Sequence, residues 1–225
     1  MQELLKTVQI RVNDRIYAKD PDSSDLGRNI INESVEIIHE IGFDAFTFKK
    51  LAISLGTTES TVYRYFENKH RLLVYLTSWY WGWLEYKIVL GTSNLADPEE
   101  ILQKIIAIIS NPLSENQTHD LMSLEKLHNI IISESPKAFL TKLVETEVRE
   151  GFFANFIRVN DRIIKVINEI NPDYIHARTM ASMLLDTVSN QWFLSLHFPS
   201  LTDVGMDNDR LAAFLTSITK RCLTS

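Results

Sequence analysis

The stretch Thr58-Glu59-Ser60-Thr61-Val62-Tyr63-Arg64-Tyr65-Phe66 gathers side chains that can address a polyanion. The hydroxyls of Thr58, Ser60 and Thr61, the Arg64 guanidinium and the phenols of Tyr63 and Tyr65 are all able to reach base edges or phosphates. On a helix, Val62 and Phe66 fall four apart and face inward. Glu59 runs against the pattern, since a carboxylate repels phosphate unless it accepts a proton from a cytosine amino group. A second constellation is Glu-x-x-His, at Glu36–His39 and Glu125–His128, a spacing that suits a di-iron carboxylate site in a helical bundle. Such a site needs two further inward glutamates, and Glu36 and His39 lie opposite the apolar face of their helix. Solvated surface polars are the expectation there. His70, His119, His176 and His197 are scattered, no serine or cysteine nucleophile motif accompanies them, and no glycine-rich phosphate loop exists. No catalytic residue, metal site or cofactor is expected, and the chain does not read as an enzyme.

Position for these residues comes from a helical frame. Ile30, Ile31, Ile37, Ile38 and Ile41 make one apolar face that stops at Gly42. Thr47 is placed to cap a helix over 48–55 that ends at Gly56, and Thr58 to cap a short one to about Tyr65. Two short helices around the tight turn Gly56-Thr57 have the spacing of a helix-turn-helix, about 48–67, whose second helix enters the DNA major groove. Asn68 caps a long helix to about Leu90, Asp97-Pro98 opens another, and helices are expected over 119–133, 136–170, 173–197 and 209–223. A bend is expected at Gly151, and Asp173 is expected to cap the penultimate helix. Residues 1–25 are read as an N-terminal extension, either a short helix with Leu5, Val8, Val12 and Ile16 on one side or a hairpin turning at Asn13-Asp14. The alternation of Val8, Ile10 and Val12 tips the balance to the hairpin.

Composition agrees with this frame. Of 225 residues 45% are hydrophobic and 23% charged, enough for a real core and against wholesale disorder. Seven Gly and six Pro are few for a many-turned β fold. Charges interrupt the apolar stretches, no secretory signal is visible, and the single Cys222 cannot form an internal disulfide, so a soluble intracellular (cytoplasmic) protein without membrane contact is expected. The net charge of −6 is uneven: −1 over residues 1–25, zero over 26–71 and −5 over 72–225. The one stretch that is not net acidic contains the helix-turn-helix.

Residues 30–73 resemble the DNA-binding domain of the tetracycline-repressor (TetR) family of bacterial transcription regulators. The resemblance is carried, without a gap, by Gly42-Phe43, Phe46-Thr47-Phe48, Leu51-Ala52, Gly56, Val62-Tyr63-Arg64-Tyr65-Phe66, Asn68-Lys69 and Leu72-Leu73. Thr57, Ser60 and Glu59 depart from the family pattern. The resemblance implies an all-α protein with an N-terminal three-helix DNA-binding domain (26–71) and a C-terminal helical ligand-binding and dimerisation domain (72–225). It implies DNA contacts from Thr47, Lys49, Thr58, Glu59, Ser60, Thr61, Tyr63, Arg64, Tyr65 and Lys69. It further implies a homodimer on a double-stranded, near-palindromic operator, most simply as a repressor released by an unidentified small apolar effector.

For the C-terminal part, the aromatic stripe of the fourth helix supplies Trp79, Trp83 and Tyr86 as candidate effector contacts, with Ile105, Phe139, Phe152 and Phe156 beyond it. Core packing is the competing role for each, and for Gly82 a hinge competes with a close-packing site. The apolar surface for pairing the last two helices is assigned to Met180, Met183, Leu184, Trp192, Leu196, Leu211, Phe214, Leu215 and Ile218. A helical interaction protein of this family that has lost DNA binding is the rival function, favoured by Glu59 and the uncharged reader; a di-iron helical enzyme is the third.

Overall fold

The computed structural model describes residues 10–113, 122–205 and 207–224. Among them the chain is all-helical, without a strand. The helices are α1 (Asp25–Ala45), α2 (Phe48–Ser54), α3 (Glu59–Tyr63), α4 (Lys69–Thr92), α5 (Pro98–Ser110), α6 (Leu124–Glu134), α7 (Pro136–Phe139), α8 (Val144–Arg149), α9 (Ala154–Ile170), α10 (Ala177–His197) and α11 (Asn208–Leu223). No described helix is long and apolar enough to cross a membrane.

The chain divides into two compact units. The first holds the described parts of Met1–Gly82 and Asn116–Asn155, the second those of Trp83–Glu115 and Phe156–Ser225. The first unit therefore holds, besides residues 26–71, the first half of α4 and the α6–α8 segment.

In the first unit, Ile30, Ile31, Val35 and Ile38 are buried on α1, which packs against α6. At Gly42, φ +76, α1 bends, and its last turn is tied down from elsewhere. The Phe43 amide donates to Glu134 Oε1 at 3.0 Å, and the ammonium of Lys137 bridges Glu134 (2.7 Å) and Asp44 (2.8 Å). The Lys137 hydrogen bond holds the Asp44 carboxyl below its ordinary range. On α4, Leu72 through Glu85 are buried without a break, as a helix apolar on two sides requires. Near its middle the Tyr80 hydroxyl meets His128 Nδ1 at 2.8 Å, and burial pulls that imidazole down to about 4. Gly82 proves to be a close-packing site: a Cβ there would lie 2.6 Å from Ile10 Cγ2 and 2.7 Å from Asn155 Nδ2.

The second unit packs α5 on α11 and α10, with Leu102, Ile105, Ile106, Ile109, Leu184, Leu211 and Leu215 buried. Glu85 is buried there and accepts from Arg158 Nε at 2.8 Å and Arg162 Nε at 2.9 Å, one helical turn apart on α9.

Three local expectations give way. The hairpin is not formed by residues 10–25; Leu5 and Val8 lie outside the described residues. Instead Asn13 Oδ1 accepts from the Arg15 amide and starts a 3-10 turn, Asp14–Ile16, and a second such turn spans Pro21–Ser23. Alternation of apolar residues makes a strand only where another strand offers pairing groups, and here Asn13 spends its amide on Glu150 O, 2.8 Å away. The helix expected over 136–170 with a bend at Gly151 is three helices: the chain does turn at Gly151 (φ +80), and a further, unexpected break falls at Leu140 (φ −86, ψ 57). Asp173 does not cap α10, which begins at Ala177; its amide donates to Asn171 Oδ1 in the turn before.

Candidate nucleic-acid interface

α2, the turn and α3 are shaped by local hydrogen bonds. Thr47 Oγ1 accepts from the Lys50 amide and starts α2. At its end the Gly56 amide donates to Ile53 O (3.1 Å) and the Thr57 amide to Ala52 O (2.9 Å), a pairing that needs the left-handed backbone of Gly56, φ +61. Thr58 then caps α3: its Oγ1 accepts from the Thr61 amide and lies 2.9 Å from Thr61 Oγ1. Beneath α3, Val62 and Phe66 are fully buried, and the Tyr63 ring stands edge-on to Phe48 at 5.0 Å. This leaves Thr58, Glu59, Ser60, Tyr63 and Arg64 exposed with Thr61 half-buried, and Thr47 and Lys49 exposed on α2.

Two residues expected at the interface are engaged elsewhere. Tyr65 is only 3% exposed, and its hydroxyl lies 2.8 Å from Ser24 Oγ and accepts from Lys19 Nζ at 3.1 Å. The hydrogen bond to Ser24, ahead of that from Lys19, holds the phenol below its ordinary range. Tyr65 is thus turned inward because the extension offers it partners that a lone helix-turn-helix lacks. The half-buried Lys69 donates to the carbonyls of Phe43, Asp44 and Phe46 at 3.1, 3.1 and 3.2 Å and sits 4.8 Å over the Phe43 ring. Those carbonyls close the corner between α1 and α2, and the ammonium satisfies them as a C-terminal cap.

The candidate effector residues fall in both units, Trp79, Phe139 and Phe152 in the first and Trp83, Tyr86, Ile105 and Phe156 in the second. Trp79, Phe152 and Ile105 are buried core, Phe152 under the Arg71 guanidinium at 4.3 Å from its centroid. Trp83 is buried with the Lys87 ammonium 5.3 Å from its ring, and Phe139 is half-buried against Phe153. Tyr86 and Phe156 are half-buried.

On α10 and α11 the residues assigned to dimerisation separate by face. Met180, Leu184, Leu211 and Leu215 point into their own unit and are at most 5% exposed, which removes them from any pairing surface. Met183, Leu196 and Phe214 are exposed, and Trp192 and Ile218 half-buried. Sequence periodicity missed Phe193, Phe198 and Leu201, which are exposed as well; the signal was present in the spacing of Phe193 from Leu196.

For the two Glu-x-x-His pairs, Glu36 is ion-paired to Lys126 and His39 is exposed, while Glu125 is exposed and His128 is buried against Tyr80. The members of each pair have separate surroundings, and among the described residues no three such side chains gather as metal ligands would.

Residues 30–76 match the family model described as bacterial regulatory proteins, tetR family. Solved structures share the fold along most of the chain. A bacterial regulatory protein in the tetR family from Rhodococcus superposes with a TM-score of 0.64 at 14% identity, covering 89% of this chain and 97% of its own. The regulator FadR from Bacillus subtilis, in complex with stearoyl-CoA, gives 0.62 at 17% identity, covering 84% and 97%. AibR, in complex with isovaleryl coenzyme A and operator DNA, gives 0.60 at 17% identity, covering 85% and 97%. No curated protein matches the chain. At these identities the structural likeness is one of fold.

Proposed function

With residues 30–76 a DNA-binding segment of the tetR family of bacterial regulators, we propose that the protein is a one-component transcription regulator that binds a near-palindromic operator as a homodimer and leaves it when a small acyl thioester binds. The observation that carries the reading is the solvent side of α3. A five-residue helix seated on Val62 exposes Ser60, Tyr63 and Arg64, and hydroxyl caps at Thr47 and Thr58 stand at the starts of both helices. Arg64 is the residue suited to a bidentate contact with guanine, and Lys49 adds sequence-independent attraction to phosphate. Exposed Met183, Phe193, Leu196 and Phe214 support pairing of α10 and α11 with their copies. A dimer offers two copies of α3 to the half-sites of such an operator, which lie about 34–36 Å, one DNA turn, or a multiple of it apart. Repression is the simplest use of such binding, and the cytoplasm, where the operator lies, is the place of action. The thioester class draws support from two proteins of this fold having been solved with isovaleryl coenzyme A and with stearoyl-CoA.

The test is selection of fragments from the source genome by the purified protein at low and moderate salt, beside Arg64→Ala. Recovery of a near-palindrome by wild type alone is the expected result, followed by release on adding acyl-CoAs from isovaleryl to stearoyl. Enrichment by neither protein, before and after refolding to strip bound ligand, would sink the reading. The rival, a helical interaction protein without DNA binding, has specific support in exposed Glu59, the zero net charge of 26–71 and the engagement of Lys69. It requires that Arg64→Ala leave cellular activity unchanged.

A further inference from the structure

Residues 10–24 run between two places in the first unit. At one end the Ala18 amide donates to Tyr65 O at 2.8 Å, and Ser24 and Lys19 hold the Tyr65 hydroxyl. At the other, Asn13 Nδ2 donates to Glu150 O at 2.8 Å, and Asn155 Nδ2 donates to Arg11 O at 3.1 Å and to Ser78 O at 2.8 Å. Between them the segment is stiffened. Each 3-10 turn is capped by its own side chain, Asn13 or Asp20, and Pro21 fixes the second. Ile16 is 1% exposed, and Tyr17 meets Tyr75 edge-on at 6.1 Å. Pro21 lies so close to Gly27 that a Cβ there would stand 2.2 Å from its carbonyl oxygen. Such a segment carries a displacement where a loose one absorbs it. α3, with five residues, has no stiffness of its own and takes its orientation from what holds its two sides.

We infer that residues 10–24 are a positioning strap for the recognition helix: Ser24, Lys19 and Ala18 fix Tyr65 where the chain leaves α3, and Asn13 and Asn155 anchor the strap at Glu150–Asn155, so that a shift of that turn reaches α3. The strap acts on DNA through α3 and does not itself touch it. This rests on the proposed DNA-binding role, which gives the positioned helix something to read.

The experiment uses the operator recovered above, with affinity measured across a salt series for the full chain, Tyr65→Phe and Asn13→Ala, and hydrogen exchange of residues 59–66 in the free proteins. Tyr65→Phe keeps the ring and drops one hydroxyl; it weakens operator binding about tenfold with the salt slope unchanged, whereas loss of a direct phosphate contact lowers the slope by about one. Ser24→Ala also weakens binding; it shares only the Ser24–Tyr65 hydrogen bond with Tyr65→Phe and in addition removes the acceptor of the Gly27 amide, so the double variant loses less than the sum of the two. Asn13→Ala, at the far end, weakens binding about threefold and speeds exchange at 59–66. A Tyr65→Phe slope lower by one overturns the positioning role. So do affinities within twofold of wild type for both variants with unchanged exchange. If wild type binds no DNA, exchange decides alone: faster exchange in Asn13→Ala upholds the strap while the DNA-binding reading falls, and unchanged exchange overturns the strap.

Discussion

His128 shows how burial alone makes a residue sensitive to acid. Its imidazole stacks on Tyr80, shares a hydrogen bond with that hydroxyl, and titrates at about 4 in place of 6.5 because burial disfavours the charged ring. The unfolded chain therefore takes up a proton at a higher pH than the folded one. The stabilisation is complete above pH 6.5 and is lost as pH falls toward 4, with a full span on the order of 3 kcal/mol. Urea unfolding of wild type and His128→Gln across that window should show wild type losing stability more steeply by this amount; parallel curves would refute it. Two glycines separate by what stands next to them. Alanine gains up to about 1 kcal/mol over glycine inside a helix, but at Gly27 the new Cβ would stand 2.2 Å from the Pro21 backbone. At Gly82 it meets side-chain atoms only, Ile10 Cγ2 at 2.6 Å and, at 2.7 Å, an Asn155 amide that moves by giving up its bonds to Arg11 O and Ser78 O. Gly27→Ala is expected to cost about 1–3 kcal/mol in thermal unfolding and more than Gly82→Ala. None of this was legible in the sequence, where His128 stood in a candidate metal pair and Gly82 read equally as a hinge, because both roles depend on residues at least 48 positions away.

Helix boundaries in the reader were legible because they are set by neighbours in sequence. Thr47, Gly56, Thr58 and Asp97-Pro98 act within four residues of themselves, and each does locally what its type dictates. Removal of the Thr58 hydroxyl should cost about 1 kcal/mol. In a helix as short as α3 that loss is local: Thr58→Ala is expected to speed amide exchange at 59–63 well before global unfolding changes, and equal effects on both would count against it. Over 136–170 the expected bend at Gly151 is present, but the break at Leu140 is not foreseen, for the opposite reason. The apolar spacing there is helical, yet Glu147 is drawn in to His70 Nε2 at 2.9 Å and Phe152 to Arg71, contacts made some 80 residues away that no local pattern announces. Tyr65 and Lys69 follow the same rule. Family register singled them out, but their partners, Ser24 with Lys19 for one and the carbonyls of Phe43, Asp44 and Phe46 for the other, come from elsewhere in the fold.

For the whole molecule, exposed apolar residues on α10 and α11 ask for a partner, and the proposed homodimer supplies it. Phe214, 48% exposed, is the clearest probe, since a charge there costs the monomer little and the interface much. Phe214→Glu should shift the mass in sedimentation equilibrium from twice 26.0 kDa to 26.0 kDa and weaken operator binding at least tenfold; an unchanged mass would place pairing elsewhere. The all-α class and the reader followed from periodicity and register, whereas the choice between Leu211 or Leu215 and Phe214 did not, because a helix with apolar residues on two sides does not say which one its own chain will cover. The ties at Arg11 and Asn13 have a further consequence, for synthesis. Their partners Asn155 and Glu150 follow them by 144 and 137 residues, so at about 5–20 residues per second the ribosome leaves the first helices without these ties for roughly 7–30 seconds. The nascent helix-turn-helix is therefore held by fewer ties than the finished one, and under the proposed function full affinity for an operator is acquired only after most of the chain has emerged.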